Sequence, residues 1–365
     1  MTRARRRAAS DRPPSTRDCS ERSWRAIAAP YARPDTRRAI AQLLNTALPF
    51  LVFMTALLYG IGHYGWAALP VAIPTAALLV RLFMIQHDCG HGSFFYSRWA
   101  NDLLGRTLGV LTLTPYAFWR RNHAVHHATS GNLDRRGVGD VRTMTVREYL
   151  RLPTWRRLLY RIYRHPLILF CLGPTYLFVI RHRIPTNNAL QCRQSWISVL
   201  GTDVAIAVIM FLLLLILGPR PVLLGYVPMI LLASSMGVWL FYIQHQFENT
   251  YWRAEADWDF HAAALEGSSF YDLPRILHWL TGYIGFHHIH HLCSKVPNYH
   301  LSACFAQNAQ FRQAKRLSLR DSLRCPRLAL WDEEKCALVA FRDVADRAAP
   351  GPATGHRPRM HCPSI

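Results

Sequence analysis

Four stretches of the chain, residues 43–62, 66–86, 196–217 and 222–243, are apolar over lengths that suit membrane helices. At a rise of 1.5 Å per residue, some twenty residues span about 30 Å, the thickness of a bilayer's hydrocarbon core. Short links, residues 61–66 and 218–221, join the first pair and the second pair, so each pair reads as a hairpin. Asn45 and Pro49 fall near the start of the first run, where they cost least. Arg81, near the far end of the second, is expected to snorkel toward the headgroups. Residues 166–180 are apolar too, but short and interrupted by Gly173-Pro174, which predicts a re-entrant or interfacial helix. The pattern predicts an all-α integral membrane protein with one membrane domain, 39–342. Four transmembrane helices carry a helical cap made of 87–195 and 244–342, and tails 1–38 and 343–365 are expected to be disordered.

Charge then fixes an orientation. The 365 residues are 51% hydrophobic and 18% charged, with a net charge of +21. Such a balance suits either a nucleic-acid binder or a membrane protein with basic loops; the four apolar runs decide for the membrane and against nucleic acid. The two short links hold Arg220 as their one cation, whereas the N-terminal, middle and C-terminal regions hold nearly all the rest. Both ends and the cap are therefore expected on the cytoplasmic side, in the inner membrane if the source is bacterial. The basic N-terminus precedes no apolar run before about residue 43, which argues against a cleaved secretory signal. Nine cysteines without a C-x-x-C pair argue against a cysteine metal site.

With that orientation, three histidine clusters fall on one side of the membrane: His87/His91, His123/His126/His127 and His287/His288/His290/His291. On a helix, residues three and four apart project from one face. His245 follows directly on the fourth run, as His87 follows on the second. Neutral imidazole ligates Fe, Zn, Cu or Ni. His87, His91, His123, His126, His127, His287, His290 and His291, with His245 as a ninth, are too many for one ion and suit two. Redox-inert zinc does not justify such a cage, whereas a pair of irons that bind O₂ does. His288 reads as a hydrogen-bonding neighbour, and His261 and His278 as supporting or structural residues. His63, His165, His182, His300, His356 and His361 read as ordinary core or surface histidines.

Metal-bound imidazoles donate their second N–H to a carboxylate or carbonyl, and Asp88, Asp134 and Asp140 lie within or just after the clusters. They are expected to orient ligands around the cofactor. Trp119, Phe94, Phe95, Tyr96, Trp239, Phe241 and Tyr242 lie near span ends and read first as an interfacial belt, second as the lining of an acyl channel.

The motifs HDCGH, HAVHH and HHIHH, with WRRNHAVHHATSGNLDRRGVGDV, FYIQHQFENTYW and FHAAALEGSSFYDLP around them, resemble the membrane fatty acid desaturases. The resemblance covers roughly residues 24–342 and is nearest to the acyl-lipid Δ12 (omega-6) type. It implies four spans, a cytosolic cap and two non-haem iron ions held by the eight clustered histidines; His245 resembles the family's additional histidine after the last span. It also implies that O₂ and two electrons remove two hydrogens from adjacent methylenes of an acyl lipid. No H-P-G-G haem motif, Fe–S cysteine spacing or G-x-G-x-x-G is present, so the electrons are expected from an external donor of ferredoxin or cytochrome b5 type. A di-iron hydroxylase or oxygenase of acyl chains or carotenoids shares the same chemistry up to the first hydrogen abstraction. A membrane zinc hydrolase is the alternative from another class.

Overall fold

The structure, a computed structural model, describes residue 24 and residues 26–185, 192–345 and 347. Most of the two expected tails lies outside these residues. Within the described part of 1–38, the turn Ala29–Tyr31 contacts the helix Asn298–Gln307, with the Tyr31 hydroxyl donating to Gln307 at 2.6 Å.

Among the described residues, three helical segments are long and apolar enough to cross a membrane: Thr36–His91, Arg193–Leu217 and Pro219–His245. The first starts ahead of predicted residue 43 because Asp35 caps it, accepting the N–H groups of Arg37 and Arg38 at 2.9 and 3.1 Å. This segment is not one rod. Arg81 Nε donates to Thr46 Oγ1 at 2.9 Å across a separation of 35 residues, which a straight helix would place about 52 Å apart. The chain doubles back through Gly65 (φ +61°) and the 3-10 turn Gly65–Val71, so Thr36–Tyr64 and Ala72–His91 lie side by side. Gly65 is needed there because side-chain-bearing residues rarely adopt that backbone.

Arg81 corrects an expectation. It is 3% exposed rather than snorkelling, with its guanidinium over the Trp279 ring at 4.1 Å and donating to the Trp279 carbonyl. Thr46 and Trp279 supply acceptors deep between the arms, so the side chain need not reach for water.

The apolar stretch at 166–180 belongs to a bent pair, Thr154–Tyr163 and Ile168–Arg183, which meet at 57°. Thr154–Tyr163 exposes Trp155, Leu158, Leu159 and Ile162, spaced as one helix face. Its Tyr160 is buried and donates to the Ala329 carbonyl at 2.8 Å. Arg193–Leu217 buries little, and Phe211 and Ile216 are 64% and 74% exposed, a surface suited to lipid rather than water. One core joins Leu57, Ile61, Leu82 and Ile85 of the hairpin to Met229, Leu240 and Ile243 of the last helix.

The expectation of a purely helical cap needs correction. Met144–Thr145 pairs in parallel with Leu330–Asp332, which pairs antiparallel with Ala337–Val339, and Phe270–Asp272 runs parallel to Arg316–Ser318. Of these short pairings, that of Met144–Thr145 with Leu330–Asp332 ties the middle region to the C-terminal region, and the other two lie within the C-terminal region.

Candidate metal centre

Ala72–His91 carries His87 and His91 one turn apart on its last turns and stops at Gly92, which takes the left-handed conformation that closes helices. Tyr116–Thr129 presents His123, His126 and His127, and the short helix His287–Leu292 presents His287, His290 and His291. His245 is the final residue of Val227–His245. The first helix end is held by Tyr116, whose hydroxyl donates to the Cys89 carbonyl at 2.8 Å while its ring covers Gly105.

The side chains converge in two groups. His87, His91, His123, His127 and His290 form one, His126, His245 and His291 the other, with ligand atoms inside each group within 4.8 Å of one another. His287 joins the second, its Nε2 2.9 Å from that of His245. In the first, His123 Nε2 faces the Nε2 atoms of His87, His91 and His127 at 2.9, 3.0 and 3.1 Å. One ring nitrogen shares at most one hydrogen, so hydrogen bonding cannot account for three such contacts.

The second group gives a sharper test. His245 Nδ1 donates to the Gly267 carbonyl at 3.1 Å, and His126 Nδ1 meets the Asp140 carboxylate. A carbonyl only accepts, so the His245 proton is on Nδ1 and its Nε2 lone pair faces the His126 Nε2 at 3.2 Å. His291 Nε2 is also buried without a hydrogen-bond partner. Converging lone pairs in a buried place are what a cation stabilises, and the residues present fit a pair of metal ions. Burial first, and the neighbouring imidazoles second, hold His123, His127, His287, His290 and His291 well below the usual histidine range. They are neutral at physiological pH, the form that ligates.

Of the three acids singled out in the sequence, two meet imidazoles. Asp140 meets His126, and Asp88 lies 3.3 Å from His87 Nδ1 while its other oxygen accepts the Asn298 N–H at 2.6 Å. Asp134 is exposed and accepts the Glu255 N–H at 2.9 Å, closing a loop contact instead. His278 accepts the Leu273 N–H at 3.2 Å, and His288 is packed among Phe270, Phe305 and Phe311. Neither the Gly267 carbonyl nor Lys295, whose ammonium donates to the His91 carbonyl at 2.6 Å, is signalled by any motif. Trp119, four residues before His123 on its helix, stacks on that ring at 4.7 Å, a contact its spacing could have signalled.

Beside the centre lies a cavity of about 720 Å³, lined by Val80, Phe83, Met84, Trp119, Gly237 and Phe241 and reaching His87, His123 and His287. Apolar helices that end in a cage of neutral imidazoles, next to an apolar cavity, define a class of helical membrane proteins with a histidine-rich candidate metal centre. Comparison narrows the class. Residues 64–322 match the fatty acid desaturase family. The chain is 43% identical to a fatty acid desaturase of Bacillus subtilis over 318 residues, which is 87% of this chain and 89% of that protein. It is 29% identical to an sn-1 oleoyl-lipid 12-desaturase of Synechocystis over 66% of this chain and 68% of the other. It is 28% identical to an sn-1 acyl-lipid omega-3 desaturase (ferredoxin) of Nostoc, over 68% and 70% respectively. The chain belongs to the fatty acid desaturase family and is an oxidoreductase.

Proposed function

We propose that the chain desaturates acyl chains of membrane lipids at the Δ12 (omega-6) position, with two iron ions at the histidine centre. The observation that carries this reading is the apolar cavity whose wall includes His87, His123 and His287. His87, His91, His123, His127 and His290 would hold one ion, and His126, His245, His287 and His291 the other. When bound, the iron pair supplies O₂ reduction and the oxidising power that an unactivated C–H bond requires. The protein supplies the rest. Phe83, Met84, Trp119 and Phe241 hold the chain and exclude water, so that cavity shape selects the carbons that react. Asp140 and the Gly267 carbonyl keep protons on the outer nitrogens of His126 and His245, leaving the inner ones free to ligate.

The hairpin Thr36–His91 counts as two crossings, giving four with Arg193–Leu217 and Pro219–His245; cap and both termini face the cytoplasm. The few cations in the short links support this orientation. The lipid-linked substrate is supported by the names of the Synechocystis and Nostoc relatives, and an external ferredoxin-type donor by the latter. Expression in a host lacking polyunsaturated lipids, followed by mapping of double bonds, tests the reading. A diene with its new bond at Δ12 is expected; a diene bonded elsewhere removes the positional assignment, and a hydroxy-acyl product removes desaturation.

A further inference from the structure

Arg164 follows Thr154–Tyr163, its N–H bonded to the Tyr160 carbonyl at 3.0 Å, and its side chain turns inward to 2% exposure. The guanidinium has no carboxylate partner among the described residues. It meets five oxygens instead. Nη1 donates to the Arg142 carbonyl at 3.3 Å and Thr143 Oγ1 at 3.4 Å. Nη2 donates to the Tyr242 hydroxyl at 2.8 Å, Gln246 Oε1 at 3.3 Å and the Leu328 carbonyl at 2.7 Å. Nε is buried without a partner. Burying a cation among neutral dipoles is unfavourable compared with packing an apolar side chain of the same size. The placement therefore asks for a reason beyond filling space.

The acceptors supply one. Arg142 and Thr143 directly follow Asp140 and Val141, and Asp140 holds His126. Tyr242 and Gln246 lie on either side of His245 at the end of the last membrane helix. Thr143 Oγ1 is also 3.3 Å from Gln246 Oε1, so the two anchor points touch at the arginine. His126 shares Tyr116–Thr129 with His123 and His127, and His291 shares His287–Leu292 with His290; the guanidinium bonds to neither helix and reaches the His126/His245 pair through the Asp140 loop and the end of the last helix.

We propose that Arg164 is a positioning residue for the buried group His126/His245/His291: it clamps the Asp140 loop to the end of the last helix and so sets the distance between His126 and His245. This rests on reading the two imidazole groups as a metal centre. A planar fork reaches five oxygens from three stretches of chain; the compact ammonium of lysine, with the same charge, does not.

The test is metal binding by the full-length protein, stripped of metal and titrated anaerobically with Fe²⁺, with Co²⁺ absorption as a second readout. The wild-type chain is expected to take two ions. In Arg164→Lys one ion binds as in wild type, and the other binds about tenfold or more weakly, the scale of losses when a group behind a metal ligand is removed. Tyr242→Phe, which deletes one acceptor, gives a smaller loss at the same ion; if Arg164→Lys does not fold, Tyr242→Phe combined with Gln246→Leu decides by the same criterion. Two ions at wild-type affinity in these variants, or parallel loss of both with unchanged helical circular dichroism, overturns the proposal. A wild-type chain that takes fewer than two ions overturns the metal-centre reading on which it rests.

Discussion

Asp140 meets His126 through Nδ1, and Asp88 lies beside His87 Nδ1, so replacing either carboxylate acts through the imidazole in front of it. Asp140→Asn is expected to weaken metal binding at the buried group by about 10–100-fold, and Asp88→Asn to do so at the other. Asp134→Asn serves as the control and leaves both unchanged; metal titration followed by calorimetry separates the cases. At Gly105 the Tyr116 ring occupies the space a side chain would need. Gly105→Leu is expected to destabilise the protein by about 1–3 kcal/mol through overpacking, seen as a lower thermal midpoint. The clustered histidines were legible because i, i+3, i+4 spacing already puts them on one face. The Gly267 carbonyl was not, since every residue carries one and its position depends on how the chain returns to His245. Arg81 misled for a related reason: its burial depends on Thr46 and Trp279, remote in sequence, and not on its place along an apolar run.

The helix His287–Leu292 carries a pH dependence that belongs to the element rather than to one residue. Burial holds the folded-state pKa of His287, His290 and His291 well below the unfolded value of about 6.5. Unfolding then takes up protons at acid pH. The stabilisation that neutral burial requires is therefore complete above about pH 6.5 and is lost as pH falls toward the depressed folded values. Metal-free protein is expected to melt at progressively lower temperature between about pH 7 and pH 5; a flat profile would show these rings to be solvated. The amphipathic helix Thr154–Tyr163 makes a separate prediction. Its exposed Trp155 is expected to be quenched by lipids brominated near the headgroup end of their chains, measured as the difference between wild type and Trp155→Phe. Long apolar runs made the membrane helices readable from sequence, down to the hairpin at Gly65. The paired strands were unreadable, because two or three residues such as Met144–Thr145 have no period to detect.

Across the whole molecule, the proposed orientation sets which surfaces a membrane-impermeant thiol reagent reaches. Cys192 is exposed at the start of Arg193–Leu217, and hydrogen bonds from the Ser195 hydroxyl and N–H and from Arg121 bring its thiol down to about 7, a reactive range. It is expected to label from the cytoplasmic side, whereas a cysteine placed at Tyr64, by the exposed hairpin turn, labels from the other. Labelling of both from one side would remove the four-crossing topology.

The parallel pairing of Met144–Thr145 with Leu330–Asp332 joins chain made before the last two membrane helices to chain made well after them. Translation delivers HDCGH and HAVHH to the membrane surface long before HHIHH and the closing strand leave the ribosome. The early imidazoles wait through that interval with only part of their shell assembled. Complete assembly of the proposed metal centre therefore belongs to the finished polypeptide: a nascent chain stalled before residue 287 would lack His290 of one group and His287 and His291 of the other.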